Sequence, residues 1–114
     1  MSEIPARARG LVLVRDRYLC IRCGTRGSDV HHRRRRAVRD DHTHCPCNLI
    51  LLCRNCHSWV HHEVWLARAD GLIVSHVIAE PTTKLTATIA GPVRFDCDGG
   101  FEFHVKQRGP YASD

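Results

Sequence analysis

At 114 residues, 43% hydrophobic and only 6% aromatic, the chain has material for one modest core, which excludes a two-domain protein, a large barrel and a membrane channel. No apolar run approaches the roughly 20 residues of a bilayer span, and Met1-Ser2-Glu3-Ile4-Pro5 lacks the basic-then-apolar order of a signal peptide, so a cytoplasmic protein without membrane contact is expected. The net charge of +5 is uneven: residues 1–70 hold 13 Arg against seven acids, a balance of +6, and residues 71–114 hold four basic residues against five acids, a balance of −1. Seven cysteines, an odd number, stand beside nine histidines, which points to metal thiolates rather than a disulfide framework.

Residues 8–19 carry Leu11, Val14 and Tyr18 at helical spacing, predicting a short helix into Cys20. Cys20-Ile21-Arg22-Cys23-Gly24 reads as a tight knuckle, with Gly24 supplying the backbone freedom. Val30-His31-His32 opens a strand and Arg33 to Arg36 follow it. Residues 37–45 show no periodicity and read as loop, continued by Pro46. Asn48 to Leu52 is an apolar, strand-like run ending at Cys53, and Cys53-Arg54-Asn55-Cys56 is a second knuckle opening a helix to about Ala69, with Gly71 as its stop. Trp59 and Trp65 are expected as core anchors of that helix. Beyond it, Leu72 to Ile78 and Thr86 to Ile89 read as strands. Val93–Cys97 and Phe101–Val105, joined by Asp98-Gly99-Gly100, read as a hairpin. The expected division is a core over residues 1–72 and a β-rich C-terminal extension over 73–114.

The two Cys-x-x-Cys pairs, Cys20 with Cys23 and Cys53 with Cys56, have the spacing that lets both thiolates of a pair face one ion. Four together satisfy tetrahedral Zn²⁺ with no open position, a structural site; the competing readings are buried cysteines or a redox pair. Cys45 and Cys47, split by Pro46, are poor knuckle partners by spacing, and Cys97 is expected to pack in the hairpin. His42 and His44 are expected in solvent. On a helix, His57 and His61 lie four apart on one face and can hold one metal, while His62 is rotated off it. Consecutive strand residues face opposite ways, so one of His31 and His32 can join that ion while the other stands beside it. Three imidazoles and open coordination positions describe a catalytic metal centre.

Read as an ordered string, Cys20-x-x-Cys23, Val30-His31-His32, Pro46-x-Asn48-Leu49-x-x-Leu52-Cys53-x-x-Cys56-His57-x-x-x-His61 resembles the zinc-ribbon-bearing HNH endonucleases of bacteria and bacteriophages, over about residues 10–72. The resemblance implies a small α+β fold with a ββα-metal (His-Me finger) core. It implies His31, His57 and His61 as ligands of the catalytic ion, His32 as general base and Asn48 as the residue that braces the loop and orients the base. It further implies hydrolysis of DNA phosphodiesters, by nicking or double-strand cutting. All-imidazole ligation suits Zn²⁺, Ni²⁺ or Mn²⁺, with Mg²⁺ admitted because solvent and substrate oxygens complete the shell. Arg33, Arg34, Arg35 and Arg36 are the expected phosphate contacts, with Arg22 and Arg54 as further candidates. Small phage members of the family act with the DNA-packaging terminase, which places that enzyme among the implied partners. The alternative reading is a non-catalytic, zinc-dependent DNA-binding module.

Overall fold

The computed structural model describes residues 3–35, 40–75 and 81–104. The first helix, α1 (Ala6–Arg15), turns Val12 and Arg15 inward. Its inward face is therefore not the one set by Leu11, Val14 and Tyr18: Val14 and Tyr18 are exposed. Arg15 is drawn in by backbone carbonyls, donating to Pro46 O at 2.8 Å and Leu49 O at 2.6 Å. It also pairs with Asp16 at 2.8 Å, whose other oxygen accepts from Leu51 N. A buried arginine is tolerable because its donors are taken up by carbonyls and a carboxylate.

Two short strands, β1 (Asp29–His32) and β2 (Leu49–Leu52), pair antiparallel with His31 opposite Ile50 and His32 opposite Leu49. A 3₁₀ turn, Pro46–Asn48, leads into β2. All four residues of β2 are buried, as its unbroken apolar run requires. The helix α2 (Arg54–His62) follows directly, so a hairpin and a helix occupy consecutive stretches of chain. The helix expected to reach Ala69 is broken at Glu63 (φ −107°, ψ 60°), and α3 (Val64–Ala69) begins after it. No Gly or Pro marks the break; the preceding Val60, His61 and His62 are weak helix formers. Gly71, at φ +74°, ends α3 as expected, and a side chain there would collide with the Leu85 carbonyl oxygen. Trp65 departs from expectation: it is 77% exposed, beside exposed Val64 and Leu66.

The second sheet orders β3 (Thr86–Thr88), β4 (Gly91–Phe95) and β5 (Phe101–Phe103) as an antiparallel meander, and its β4–β5 hairpin matches the sequence reading. Leu72 to Ser75 form no strand beyond an isolated bridge between Arg34 and Val74; the rest of that expected strand lies outside the described residues. Val93 and Phe95 of β4 share one buried cluster with Cys20, Ile21, Ile50, Leu52, Cys56, Val60 and Leu72. The core thus continues across residue 72. The result is a small α+β protein with two small sheets. Among the described residues, no helix is long and apolar enough to cross a membrane.

Candidate metal centres

Both Cys-x-x-Cys knuckles converge. The four sulfurs of Cys20, Cys23, Cys53 and Cys56 lie within 4.8 Å of one another, and Cys23 Sγ stands 3.7 Å from Cys53 Sγ. With metal–sulfur bonds near 2.3 Å, a tetrahedral zinc site separates its sulfurs by about 3.8 Å, so the spacing fits one closed ion. Local structure builds each half. Gly24, at φ +83°, lets the first knuckle turn, and its amide donates to Cys20 O at 2.8 Å. Cys53 caps α2, its sulfur accepting from Cys56 N at 3.4 Å, and that hydrogen bond holds its thiol below the usual range. Hydrogen bonds from Thr25, side chain and backbone, lower Cys23 to about 6, whereas burial pushes Cys56 up to about 12. Arg22 reaches Cys56 Sγ at 3.5 Å and lies 3.7 Å over the Trp59 ring, so it serves this site.

The second cluster is made by His31 from β1 and His57 and His61 from α2, whose ligand nitrogens also lie within 4.8 Å of one another. The i, i+4 pair meets as its spacing predicts, His57 Nε2 to His61 Nε2 at 3.2 Å, close to the roughly 3.3 Å between two imidazole ligands of one tetrahedral ion with bonds near 2.05 Å. Two of the three rings are oriented from behind. His57 Nδ1–H donates to Asp29 Oδ2 at 2.8 Å, turning Nε2 toward the cluster; Asp29 was not singled out from the sequence, although it sits two residues before His31. His31 Nε2–H donates to Leu72 O at 3.0 Å, leaving Nδ1 as its ligand atom. Such backing carboxylates and carbonyls set the tautomer of a ligating histidine. Burial drives the His31 imidazole down to about 4, with His57 and His61 adding like-charge repulsion while the Leu72 carbonyl pulls the other way. It is neutral at pH 7 and available as a ligand. Burial alone would raise Asp29, yet the hydrogen bonds from His57, Ser28 and Arg54 keep it below the usual carboxylate range. His62 turns away and bonds Ser58 O.

His32 faces the other side of β1, where its Nε2 lies 3.1 Å from His44 Nδ1. His44 therefore reaches a partner instead of standing in solvent. Asn48 is buried and holds the intervening loop: its Oδ1 accepts from Arg34 N at 2.8 Å and its Nδ2 donates to Thr43 O at 3.1 Å. Its backbone carbonyl accepts from Arg33 N at 2.8 Å. Asn48 thus ties Arg34 to Thr43, one residue before Leu49, the partner of His32 across the sheet.

The arginine run divides. Arg33 is 1% exposed and donates to four carbonyls, those of Gly71, Cys47, Pro81 and Lys84. Arg34 is 2% exposed and pairs with Asp40. Neither guanidinium is placed for phosphate, which corrects the expectation for both: the chain end of β1 turns into the core, and carbonyls left over from irregular backbone take up the donors. Arg35 is exposed, and Arg36 lies outside the described residues. Arg54 is exposed and pairs with Asp29 at 3.0 Å.

Cys45, Cys47 and Cys97, which no knuckle claimed, also come together, and His42 joins them. Comparison with protein-family models, with curated proteins and with solved structures finds no match, so the reading of these centres rests on their own geometry.

Proposed function

We propose that this chain is a metal-dependent DNA endonuclease of the HNH type, with its Cys quartet holding a structural Zn²⁺ and His31, His57 and His61 holding the catalytic divalent ion in a ββα-metal core. The observation that carries the reading is the convergence of three imidazoles from β1 and α2, with a fourth, His32, on the adjacent residue of the same strand and directed elsewhere. A purely structural histidine site would close its fourth position with a protein ligand; among the described residues, none joins these three. A divalent cation bound there supplies Lewis-acid stabilisation of the charge that develops on phosphate and leaving oxygen.

The chain's own residues do the rest. His32 takes a proton from the attacking water, a task suited to an imidazole whose ordinary pKa is about 6.5. His44, across the 3.1 Å contact, sets which ring nitrogen of His32 carries the proton. Asn48 holds the loop between them through Arg34 N and Thr43 O. Asp29 and the Leu72 carbonyl keep the ligand rings aimed. Arg35 and Arg54, the exposed members of the basic set, supply phosphate attraction without base reading; target sequence is not encoded in them. Action alongside a DNA-packaging terminase follows from the resemblance alone.

The experiment is cleavage of supercoiled plasmid in EDTA, Mg²⁺, Mn²⁺, Ni²⁺ or Zn²⁺, with His32→Ala and His57→Ala beside the wild type. Metal-dependent nicking or linearisation that is lost in both variants supports the reading. Salt-sensitive DNA binding with no cleavage in any metal would replace it with a non-catalytic zinc-dependent DNA-binding module.

A further inference from the structure

His42, Cys45, Cys47 and Cys97 come from two distant parts of the chain, the loop before β2 and the turn after β4. Their ligand atoms lie within 4.8 Å of one another. The individual spacings can be read against a tetrahedral ion. With bonds near 2.3 Å to sulfur and 2.05 Å to nitrogen, two sulfurs stand about 3.8 Å apart and a sulfur and a nitrogen about 3.6 Å. Cys47 Sγ to Cys97 Sγ is 3.8 Å, His42 Nδ1 to Cys47 Sγ is 3.5 Å, and His42 Nδ1 to Cys97 Sγ is 3.7 Å. A disulfide needs about 2.05 Å, and all seven cysteines are free thiols. The Cys45-Pro46-Cys47 spacing, unpromising as a knuckle, works because Pro46 starts the 3₁₀ turn Pro46–Asn48 with Cys45 extended ahead of it (φ −72°, ψ 141°).

From this geometry we infer that His42, Cys45, Cys47 and Cys97 form a second closed zinc site, separate from the Cys quartet and from the imidazole cluster. Its donor set, three thiolates and one imidazole, is a structural one: four protein ligands leave no position for water or substrate. Loading it releases three thiol protons and leaves the site with a net charge of −1. It also accounts for the odd cysteine count, since four thiols fall in one cluster and the remaining three in the other.

The position gives the ion a task. Cys47 is fully buried in the core and immediately precedes Asn48, while His42 and Cys45 flank Thr43 and His44 in the loop that reaches His32. Cys97 belongs to the turn between β4 and β5. One ion therefore staples the C-terminal hairpin to the loop beside the imidazole cluster, a cross-link of 50 residues between Cys47 and Cys97. Closing so long a loop by a metal stabilises a small core that has little apolar area of its own.

Native mass spectrometry of the zinc-loaded, full-length His57→Ala protein tests the inference, because that substitution removes the open site from the count. Two retained zinc ions per chain are expected, falling to one when Cys97→Ser is added; one ion in His57→Ala, or an unchanged count on adding Cys97→Ser, overturns the site. A wild-type readout covers the case in which Cys97→Ser fails to fold. Cys97 is exposed, and burial of its sulfur pushes its thiol up to about 11, so without a metal it is open to iodoacetamide during a long incubation at alkaline pH. Peptide mapping is expected to find it protected in the zinc-loaded wild type and alkylated after a chelator is added, and full alkylation of Cys97 in the zinc-loaded protein overturns the proposal. Neither readout depends on DNA cleavage, so failure here and failure of the nuclease reading are distinguishable.

Discussion

Replacing Arg33 with methionine keeps most of the side-chain volume and removes the guanidinium that four carbonyls share. Those carbonyls belong to Gly71, Cys47, Pro81 and Lys84, at 3.0, 2.7, 3.1 and 2.9 Å, and the site is 1% exposed, so water does not replace the lost donors. An unsatisfied buried acceptor costs roughly 1–3 kcal/mol. Gly71 O and Pro81 O each keep a second, longer donor at 3.4 Å, Thr86 Oγ1 and Lys84 N, so two acceptors are left unsatisfied, and at about 2 kcal/mol each the loss is about 4 kcal/mol. Against the 5–15 kcal/mol that holds an average domain folded, that is a large share, and for a chain of this length it lowers the melting temperature by roughly 15 °C. Arg35→Met, on an exposed neighbour, is expected to shift it by less than about 2 °C. Thermal melts of both variants at fixed zinc, read by circular dichroism, give the comparison. Under the proposed nuclease reading, DNA affinity is expected to give the opposite ordering: Arg35→Met weakens binding in low salt, while Arg33→Met, where it remains folded, does not. Equal, small melting shifts for the two variants would refute the assignment of Arg33 to the interior.

Asp29→Asn removes the carboxylate that accepts from His57 Nδ1–H, and metal affinity at the imidazole site is expected to fall about 10- to 100-fold, with the Cys quartet unaffected; chelator competition measures both, and an unchanged affinity counts against the orienting role. Acid exposes His31. Its folded-state pKa, about 4, lies below its ordinary value of about 6.5, so the neutral ring contributes stability that is fully present above pH 6.5 and is lost as the pH falls toward 4. Between pH 7 and pH 5 the loss is about 2 kcal/mol. With the imidazole site free of metal, the unfolding free energy from denaturant titration is expected to fall by that much more in the wild type than in His31→Gln, and parallel pH profiles would remove the assignment.

The sites differ in how far they could be read from the chain. The knuckles and the His57–His61 pair are encoded by local spacing: a two-residue or three-residue gap, at a tight turn or along a helix, already brings both side chains to one side. Strand alternation likewise separates His31 from His32 without any knowledge of the fold. The His42, Cys45, Cys47 and Cys97 cluster has no such local code, because Cys97 approaches only when the β4–β5 hairpin docks. Asp29 and His44 are recognisable as partners only after β1 has paired with β2 and the following loop has folded back. The arginine run misled for a related reason. Four consecutive arginines read as phosphate contacts, yet Arg33 and Arg34 serve buried carbonyls and an acid. Trp65 misled in the opposite direction: a break at Glu63, unmarked by Gly or Pro, carries α3 onto a course that leaves it exposed.

By itself the sequence determined the two knuckles, the imidazole pair on α2, the short strands and the C-terminal hairpin, since each depends on residue types a few positions apart and on backbone geometry common to all chains. Tertiary structure alone decided which basic residues face outward, which groups stand behind the ligands and whether three leftover thiols meet. Those outcomes depend on where carbonyls and side chains far apart in the chain come to lie, and burial then selects the partners that satisfy most buried polar groups.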